Sequence, residues 1–243
     1  MDAFDLALAQ QSEQGSPIWH DIRAGRFTSS QMHRLIKSGT RLMTAEELKN
    51  RPKNGPGSSA KLTEDPNTFS ADGQTYIEEK VAEVLTGIAP VSVFSHATQW
   101  GDDWEPLAAE FYANKFKCEF EIIAFQPFGE HAGGSPDRKI KGTKRGIEIK
   151  CPHNSKNQVN YLQLVDQWDV KRSHPEHYWQ CMSNLLFMDW ECIELVTYDP
   201  RMKEERHQMA RIEILPIASE FDIIVKKLEA AVREKLEILR SIG

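Results

Sequence analysis

Residues 135–150 read SPDRKIKGTKRGIEIK. On a strand, successive side chains point to opposite faces, so Glu148 and Lys150 share one face while Ile147 and Ile149 enter an apolar layer on the other. The Gly- and Lys-rich piece before them has the composition of a turn flanked by short strands. If the chain returns antiparallel there, Asp137 approaches Glu148 although ten residues separate them. Two carboxylates converging in this way offer hard oxygen ligands to Mg²⁺ or Mn²⁺. Such an ion lowers the pKa of water and neutralises the developing charge of phosphodiester hydrolysis. An ammonium beside two carboxylates favours its protonated form, which suits Lys150 to orienting water and stabilising charge rather than removing a proton. The competing reading is a surface Glu/Lys pair on a half-exposed strand with an aspartate in a turn.

Working outward, the stretch WGDDWEPLAAE at 100–110 supplies a third candidate carboxylate, Glu105, on a helix expected over 105–116. Leu107, Ala108, Phe111 and Tyr112 form its apolar side, and small Ala108 permits close helix-to-sheet approach. Asp102 and Asp103 are competing ligands, and all three acids also suit simple helix N-terminal capping. Residues 27–36 read as one short helix ended by Gly39, and the Gly/Pro/Ser/Asn-rich residues 50–70 as a loop. Asp72 caps a helix whose apolar face is Ile77, Val81, Val84 and Leu85, with Gly87 at its C-terminal turn. Strands are expected over 121–127, 147–151, 192–198 and 210–215, with helices over 178–188 and 219–242. This order favours a single α/β unit with a mixed central sheet over a helical bundle.

Composition bounds the function. The 243 residues carry 30 Lys plus Arg against 36 Asp plus Glu, a formal charge of −6, with 40% apolar and 27% charged residues. That balance excludes a protein that coats nucleic acid through a uniform basic surface. The sign is nevertheless local: residues 101–135 hold seven acids and two bases, whereas residues 137–172 hold nine bases and four acids. A basic wall for nucleic acid remains compatible with it, as does a mixed surface whose clusters scatter in space. No apolar stretch approaches the ~20 residues of a membrane span, and the acidic start does not read as a secretory signal. The expected location is the cytoplasm. Cys118, Cys151, Cys181 and Cys192 form no CxxC pair, which disfavours a zinc knuckle, a disulfide framework or an iron-sulfur cluster and suits structural thiols.

Five motifs carry a resemblance: Trp19-His-Asp-Ile-Arg23 followed by Phe27-Thr-Ser-Ser30; Trp100-Gly followed by Glu105-Pro-Leu-Ala108; Ser135-Pro-Asp137; Gly146-Ile-Glu148-Ile-Lys150-Cys-Pro152; and Tyr198-Asp-Pro-Arg-Met202. In this order, across residues 19–215, the chain resembles the phage lambda exonuclease and YqaJ-like viral recombinase family. The resemblance implies an α/β fold with a restriction-endonuclease-like core, its mixed central β-sheet flanked by helices. One nuclease domain is expected over 1–243, with a helical region over about 1–90, a catalytic core over about 91–215 and a long C-terminal helix over about 219–242.

The implied activity is Mg²⁺-dependent 5′ to 3′ digestion of double-stranded DNA ends, with Mn²⁺ as substitute and two ions per site, releasing 5′ mononucleotides and leaving a 3′ tail for recombination. Asp137 and Glu148 take the metal positions, Lys150 the catalytic lysine position, Glu105 the helix-borne carboxylate position, and the Ile149 carbonyl adds a backbone ligand. Arg23 and Ser30 match positions associated with the 5′-phosphate; Arg34 and Arg41 are weaker phosphate candidates. Gln180 matches a position that meets DNA or organises the pocket. Where related enzymes place an apolar wedge, this sequence has Thr98. The resemblance also implies a homotrimeric ring, a single-strand annealing protein as partner, and a phage or prophage origin within a bacterial host. Two other activities compete: a non-catalytic DNA-end scaffold that loads the annealing protein, and a related endonuclease.

Overall fold

The computed structural model describes residues 15–51, 61–89 and 95–243, and a proline opens the first helix among them. This helix, α1 (Pro17–Arg23), uses proline where an intrahelical N–H partner is absent anyway, and the Ser16 side chain accepts from Trp19 N. There follow β1 (Phe27–Thr28), a 3-10 turn (Ser29–Gln31), α2 (Met32–Ile36), β2 (Ser38–Leu42), α3 (Ala45–Asn50) and β3 (Leu62–Phe69). α4 (Ala71–Thr86) ends on Gly87, whose φ of +68° is the left-handed conformation that glycine adopts without a Cβ clash. After α5 (His96–Phe116) come β4 (Phe120–Glu121), β5 (Gln126–Phe128), β6 (Ala132–Gly134), β7 (Arg138–Ile140) and β8 (Arg145–Lys150). The helices α6 (Ser155–Tyr161), α7 (Gln167–Ser173) and α8 (Pro175–Met188) cross over to β9 (Cys192–Tyr198). A short α9 (Glu205–Gln208), β10 (Met209–Ile214) and the long α10 (Ala218–Ile242) complete the chain.

The central sheet has five strands in the order β10-β9-β8-β7-β4. β8 and β9 run parallel and the other neighbours antiparallel, giving the mixed sheet expected from sequence. Its two faces carry separate cores. Ile147, Ile149, Val196 and Tyr198 pack with Ala108, Ala109 and Tyr112 of α5. Ile193, Leu195 and Ile212 pack on the other side with Tyr178, Met182 and Leu185 of α8 and Ile224 and Leu228 of α10. This alternation turns Glu148 toward α8. Gly146 shares that face, where a Cβ would overlap the Trp190 ring. Gly146→Ala is therefore expected to destabilise the fold by about 1–3 kcal/mol or more, read from a lower midpoint in denaturant unfolding; an unchanged midpoint would contradict this packing.

Several local expectations are corrected. Residues 27–36 are a two-residue strand, a 3-10 turn and a short helix, because Phe27 and Thr28 pair with Ala132 and Gly133. Gly39 lies in β2, where a Cβ would strike the Phe69 carbonyl oxygen, and does not end a helix. Much of the expected 50–70 loop is β3, paired antiparallel with β2. Both strands are largely exposed, so no alternation of apolar residues betrays them. Residues 52–60 of that loop, like the first residues weighed for a signal, lie outside the described residues.

Ser70, rather than Asp72, caps α4 by accepting from Gly73 N, while Val84 and Leu85 are exposed and Ile77 and Val81 buried. α5 starts nine residues before Glu105, capped by Ser95, and runs through Pro106. Asp102, Asp103 and Glu105 are therefore helix-interior residues and not caps, and Leu107 is exposed. Residues 121–127 contribute to two strands in different sheets, β4 and β5.

Candidate active site

The β7–β8 hairpin brings Asp137 to β8: its Oδ2 accepts from Ile149 N at 2.6 Å. Glu148, 1% exposed, accepts at Oε1 from Lys150 Nζ at 2.7 Å and Gln180 Nε2 at 2.5 Å, and at Oε2 from Asn184 Nδ2 at 3.3 Å. Gln180 and Asn184 are one turn apart on α8, which faces this side of the sheet. The sequence reading missed Asn184; its i+4 relation to Gln180 was the available signal. Glu105 reaches the same region from α5, and Arg138 donates from Nη1 both to its Oε1 at 3.2 Å and to the Asp137 carbonyl at 2.6 Å. Asp102 lines the cleft, whereas Asp103 accepts from Gln99 at 2.7 Å.

The cleft here measures about 380 Å³ and is lined by Glu105, Ile149, Lys150, Thr98, Tyr161 and His177 among others. Burial, and then the charge of Asp137, push Glu148 up to about 8 and Glu105 up to about 7. Burial also raises Asp137. Lys150 is held above its ordinary value because attraction to Glu148 and Asp137 outweighs its burial. It is thus the cation anticipated from sequence. Burial and neighbouring Lys150 lower His177 to about 3. Burial raises Cys151 to about 12 and Cys181 well above its ordinary range, so both are inert thiols.

The donor set fits a hard divalent cation. Glu105 and Ile149 line the cleft, with Asp137 and Glu148 buried beside them, and burial with mutual repulsion disfavours the charged forms of these carboxylates, a deficit that a cation offsets. Asn184 Oδ1 is buried without a hydrogen-bond partner. The three carboxylates are not among the groups whose ligand atoms all lie within 4.8 Å of one another. Two of them are already paired with cations, Glu105 with Arg138 and Glu148 with Lys150.

A second pocket of about 340 Å³ is lined by Arg23, Ser30, Arg34, Tyr76 and Lys80 among others. Arg23 is half-buried, its guanidinium 3.8 Å from the Trp19 ring centroid. Burial lowers its pKa to about 10. Among the described residues it has no hydrogen bond or ion pair. Arg34 lines the same pocket but is already paired with Asp72 at 2.8 Å and Glu79 at 2.7 Å. Arg41 pairs with Glu47 at 2.8 Å near the β2–β3 hairpin and does not line it. Trp19 Nε1 donates to Ser135 Oγ at 3.0 Å, tying this pocket to the segment that carries Asp137. Thr98 lines the cleft beside Glu105 and sits in the capped first turn of α5.

The pattern of the YqaJ-like viral recombinase domain matches residues 18–190. The chain belongs to the YqaJ-like viral recombinase domain family. The matched span of this YqaJ-like domain holds every candidate site residue named above. Among solved structures, an alkaline exonuclease (LHK-Exo) from Laribacter hongkongensis is similar, with 20% identity, coverage of 93% of this chain and 96% of that chain, and a TM-score of 0.71. The same enzyme in complex with dAMP matches equally. A phage-related exonuclease from Haemophilus somnus 129PT has 12% identity, coverage of 90% and 96%, and a TM-score of 0.65. These likenesses show that the YqaJ-like chain has the restriction-endonuclease-like fold expected from its sequence. No curated protein matches it.

Proposed function

We propose that this YqaJ-like protein is a divalent-metal-dependent 5′ to 3′ double-stranded DNA exonuclease that releases 5′ mononucleotides and leaves a 3′ single-stranded tail for recombination. Family membership and the exonuclease neighbours support the nuclease class. The observation that carries the finer reading is the unpaired Arg23 guanidinium, in a pocket tethered through Trp19 and Ser135 to the Asp137 segment. Glu83 attracts Arg23 from within the same pocket but makes no ion pair with it, so the half-buried guanidinium keeps its paired N–H donors for a phosphate. Ser30 adds a short donor in the same pocket. An end phosphate held there would set the register of the first scissile bond against the cleft.

Asp137, Glu148, the Ile149 carbonyl and Glu105 would hold Mg²⁺, or Mn²⁺ as substitute, with two ions as the proposed complement. When bound, the metal supplies water activation and neutralisation of phosphate charge. Lys150, kept protonated, orients the nucleophile and stabilises the charge that grows on the phosphate oxygens. Gln180 and Asn184 hold Glu148 and thereby act as positioning residues. The same reading includes a homotrimeric ring that encloses duplex DNA, an annealing protein that receives the tail, and action in the cytoplasm of a bacterial host. No helix among the described residues is long and apolar enough to cross a membrane.

The test compares blunt duplexes bearing 5′-phosphate or 5′-hydroxyl with closed circular DNA, with and without Mg²⁺, resolving both strands over time. Rapid loss from phosphorylated 5′ ends with the circle spared is expected. Cleavage of the circle would favour an endonuclease, and end binding without hydrolysis in Mg²⁺ or Mn²⁺ would favour a loading scaffold. In the same assay Arg23→Ala should remove most of the preference for 5′-phosphate. A charge-assisted bond of about 1.5–3 kcal/mol corresponds to roughly 10- to 100-fold in that preference. An unaltered preference would exclude this pocket as the phosphate site.

A further inference from the structure

Where α6 ends against the start of α8, four side chains converge outside the carboxylate set. His174, Glu176 and His177 offer ligand atoms that all lie within 4.8 Å of one another. Tyr161 Oη is 2.7 Å from His177 Nδ1 and 3.3 Å from His174 Nδ1, and Glu176 Oε1 is 3.6 Å from that same His174 nitrogen. A tetrahedral ion with bonds of about 2.0–2.1 Å sets its ligand atoms roughly 3.4 Å apart. The two separations from His174 Nδ1 approximate the edges of such a tetrahedron, and the 2.7 Å Tyr161–His177 contact, a hydrogen bond, would lengthen on binding an ion. We propose that His174, Glu176 and His177, with the Tyr161 oxygen at the fourth corner, bind one transition-metal ion of the Zn²⁺ type on the wall of the cleft.

The backbone prepares this arrangement. His174 precedes Pro175, which fixes the first helical position of α8, and three residues later His177 emerges on the same side. The two imidazoles are nearly parallel, at 11°, and Tyr161 stacks on His174 at 20° and 4.2 Å, so the rings cannot easily splay. The ligand chemistry separates this site from the nearby carboxylates: imidazole nitrogens favour Zn²⁺, Co²⁺, Ni²⁺ or Cu²⁺, whereas Mg²⁺ prefers an all-oxygen shell. Among the described residues Glu176 has no Lys or Arg partner, leaving its charge available to an ion.

The comparable cluster of Cys192, Glu194 and Glu213 lacks that freedom. Arg145 bridges Glu194 and Glu213, Arg211 approaches Glu194 at 3.4 Å, and Tyr112 donates to it at 2.7 Å. Those carboxylates are already satisfied. At the His174 cluster, an ion would instead fasten α6 to the helix that carries Gln180 and Asn184. Tyr161 and His177 also line the cleft, so occupancy would stiffen one of its walls.

The decisive experiment titrates Co²⁺ into the full chain, with excess Mg²⁺ to hold the hard oxygen ligands, and records visible absorption. One equivalent should produce the intense spectrum of a four-coordinate site, bleached by one equivalent of Zn²⁺. Glu176→Gln, on a half-exposed side chain, should weaken Co²⁺ by more than roughly 10-fold, since even loss of an outer-shell partner costs about 10- to 100-fold. The double substitution His174→Ala and His177→Ala should abolish the spectrum. Asp137→Asn should leave it intact. Glu176→Gln decides the question if the double variant does not fold. Absence of the four-coordinate spectrum in the unaltered chain, its persistence at full affinity in Glu176→Gln, or its loss in Asp137→Asn would overturn the assignment.

Discussion

Replacing Lys150 by alanine is expected to lower turnover on duplex ends roughly 10²- to 10³-fold, the magnitude of losing one preorganised donor to transition-state charge, while end binding changes little. The asymmetry follows from where the ammonium sits. Lys150 Nζ is 2.7 Å from Glu148 Oε1 and borders the cleft, whereas the unpaired Arg23 lies in the other pocket. Under the proposed function, ground-state grip on a DNA end would fall to Arg23 and Ser30, and Lys150 would act where charge accumulates during reaction. Turnover and end affinity measured on the same phosphorylated duplex would check the split. Equal losses in both would assign Lys150 to binding; unchanged turnover would remove it from the chemistry.

The second large effect concerns stability without metal. Glu148 and Glu105 are pushed up to about 8 and about 7 in the fold, well above the ordinary carboxylate range of about 4 in an unfolded chain. Between those values the folded protein retains protons that the unfolded chain releases, so stability falls as pH rises and levels off above the folded values. His177 acts oppositely, because its folded value near 3 gives stability that grows with pH only until the free imidazole loses its proton near about 6.5. Above that point the carboxylates dominate until about pH 8, where buried Lys235, lowered to about 8 by its burial, begins to act oppositely.

The chelator-treated protein should thus melt at progressively lower temperature from about pH 6.5 to about pH 8. Mg²⁺ should restore the melting temperature most at the alkaline end, since it binds the ionised carboxylates. Glu148→Gln should flatten the metal-free pH dependence and weaken the Mg²⁺ response. A metal-free melting temperature that holds constant over this range, or an undiminished Mg²⁺ response in Glu148→Gln, would contradict the account of these carboxylates as a frustrated cation site.

Legibility from sequence followed the range of the interactions involved. The alternation Ile147, Glu148, Ile149, Lys150 reported the two faces of β8 because each face meets a different environment. β9 was equally legible, as it is buried throughout its length. The β2–β3 hairpin was not, since neither strand presents a regular apolar face. The start of α5 was also obscured: Ser95 caps it, but Gly101 and Pro106 interrupt the helical pattern. Gln180 could be singled out by motif order, whereas its action on Glu148 depends on how α8 packs against the sheet.

By itself, the sequence put Asp137, Glu148 and Lys150 on one hairpin, because strand periodicity and a short turn are local properties. It also determined the family, through motifs preserved in order. Only the tertiary structure decided that Arg138 meets Glu105, that Asn184 joins Gln180 on Glu148, and that Trp19 reaches Ser135 across 116 positions of chain. Those contacts depend on the crossing of helices over a sheet, and packing at that distance leaves no fixed spacing in the sequence.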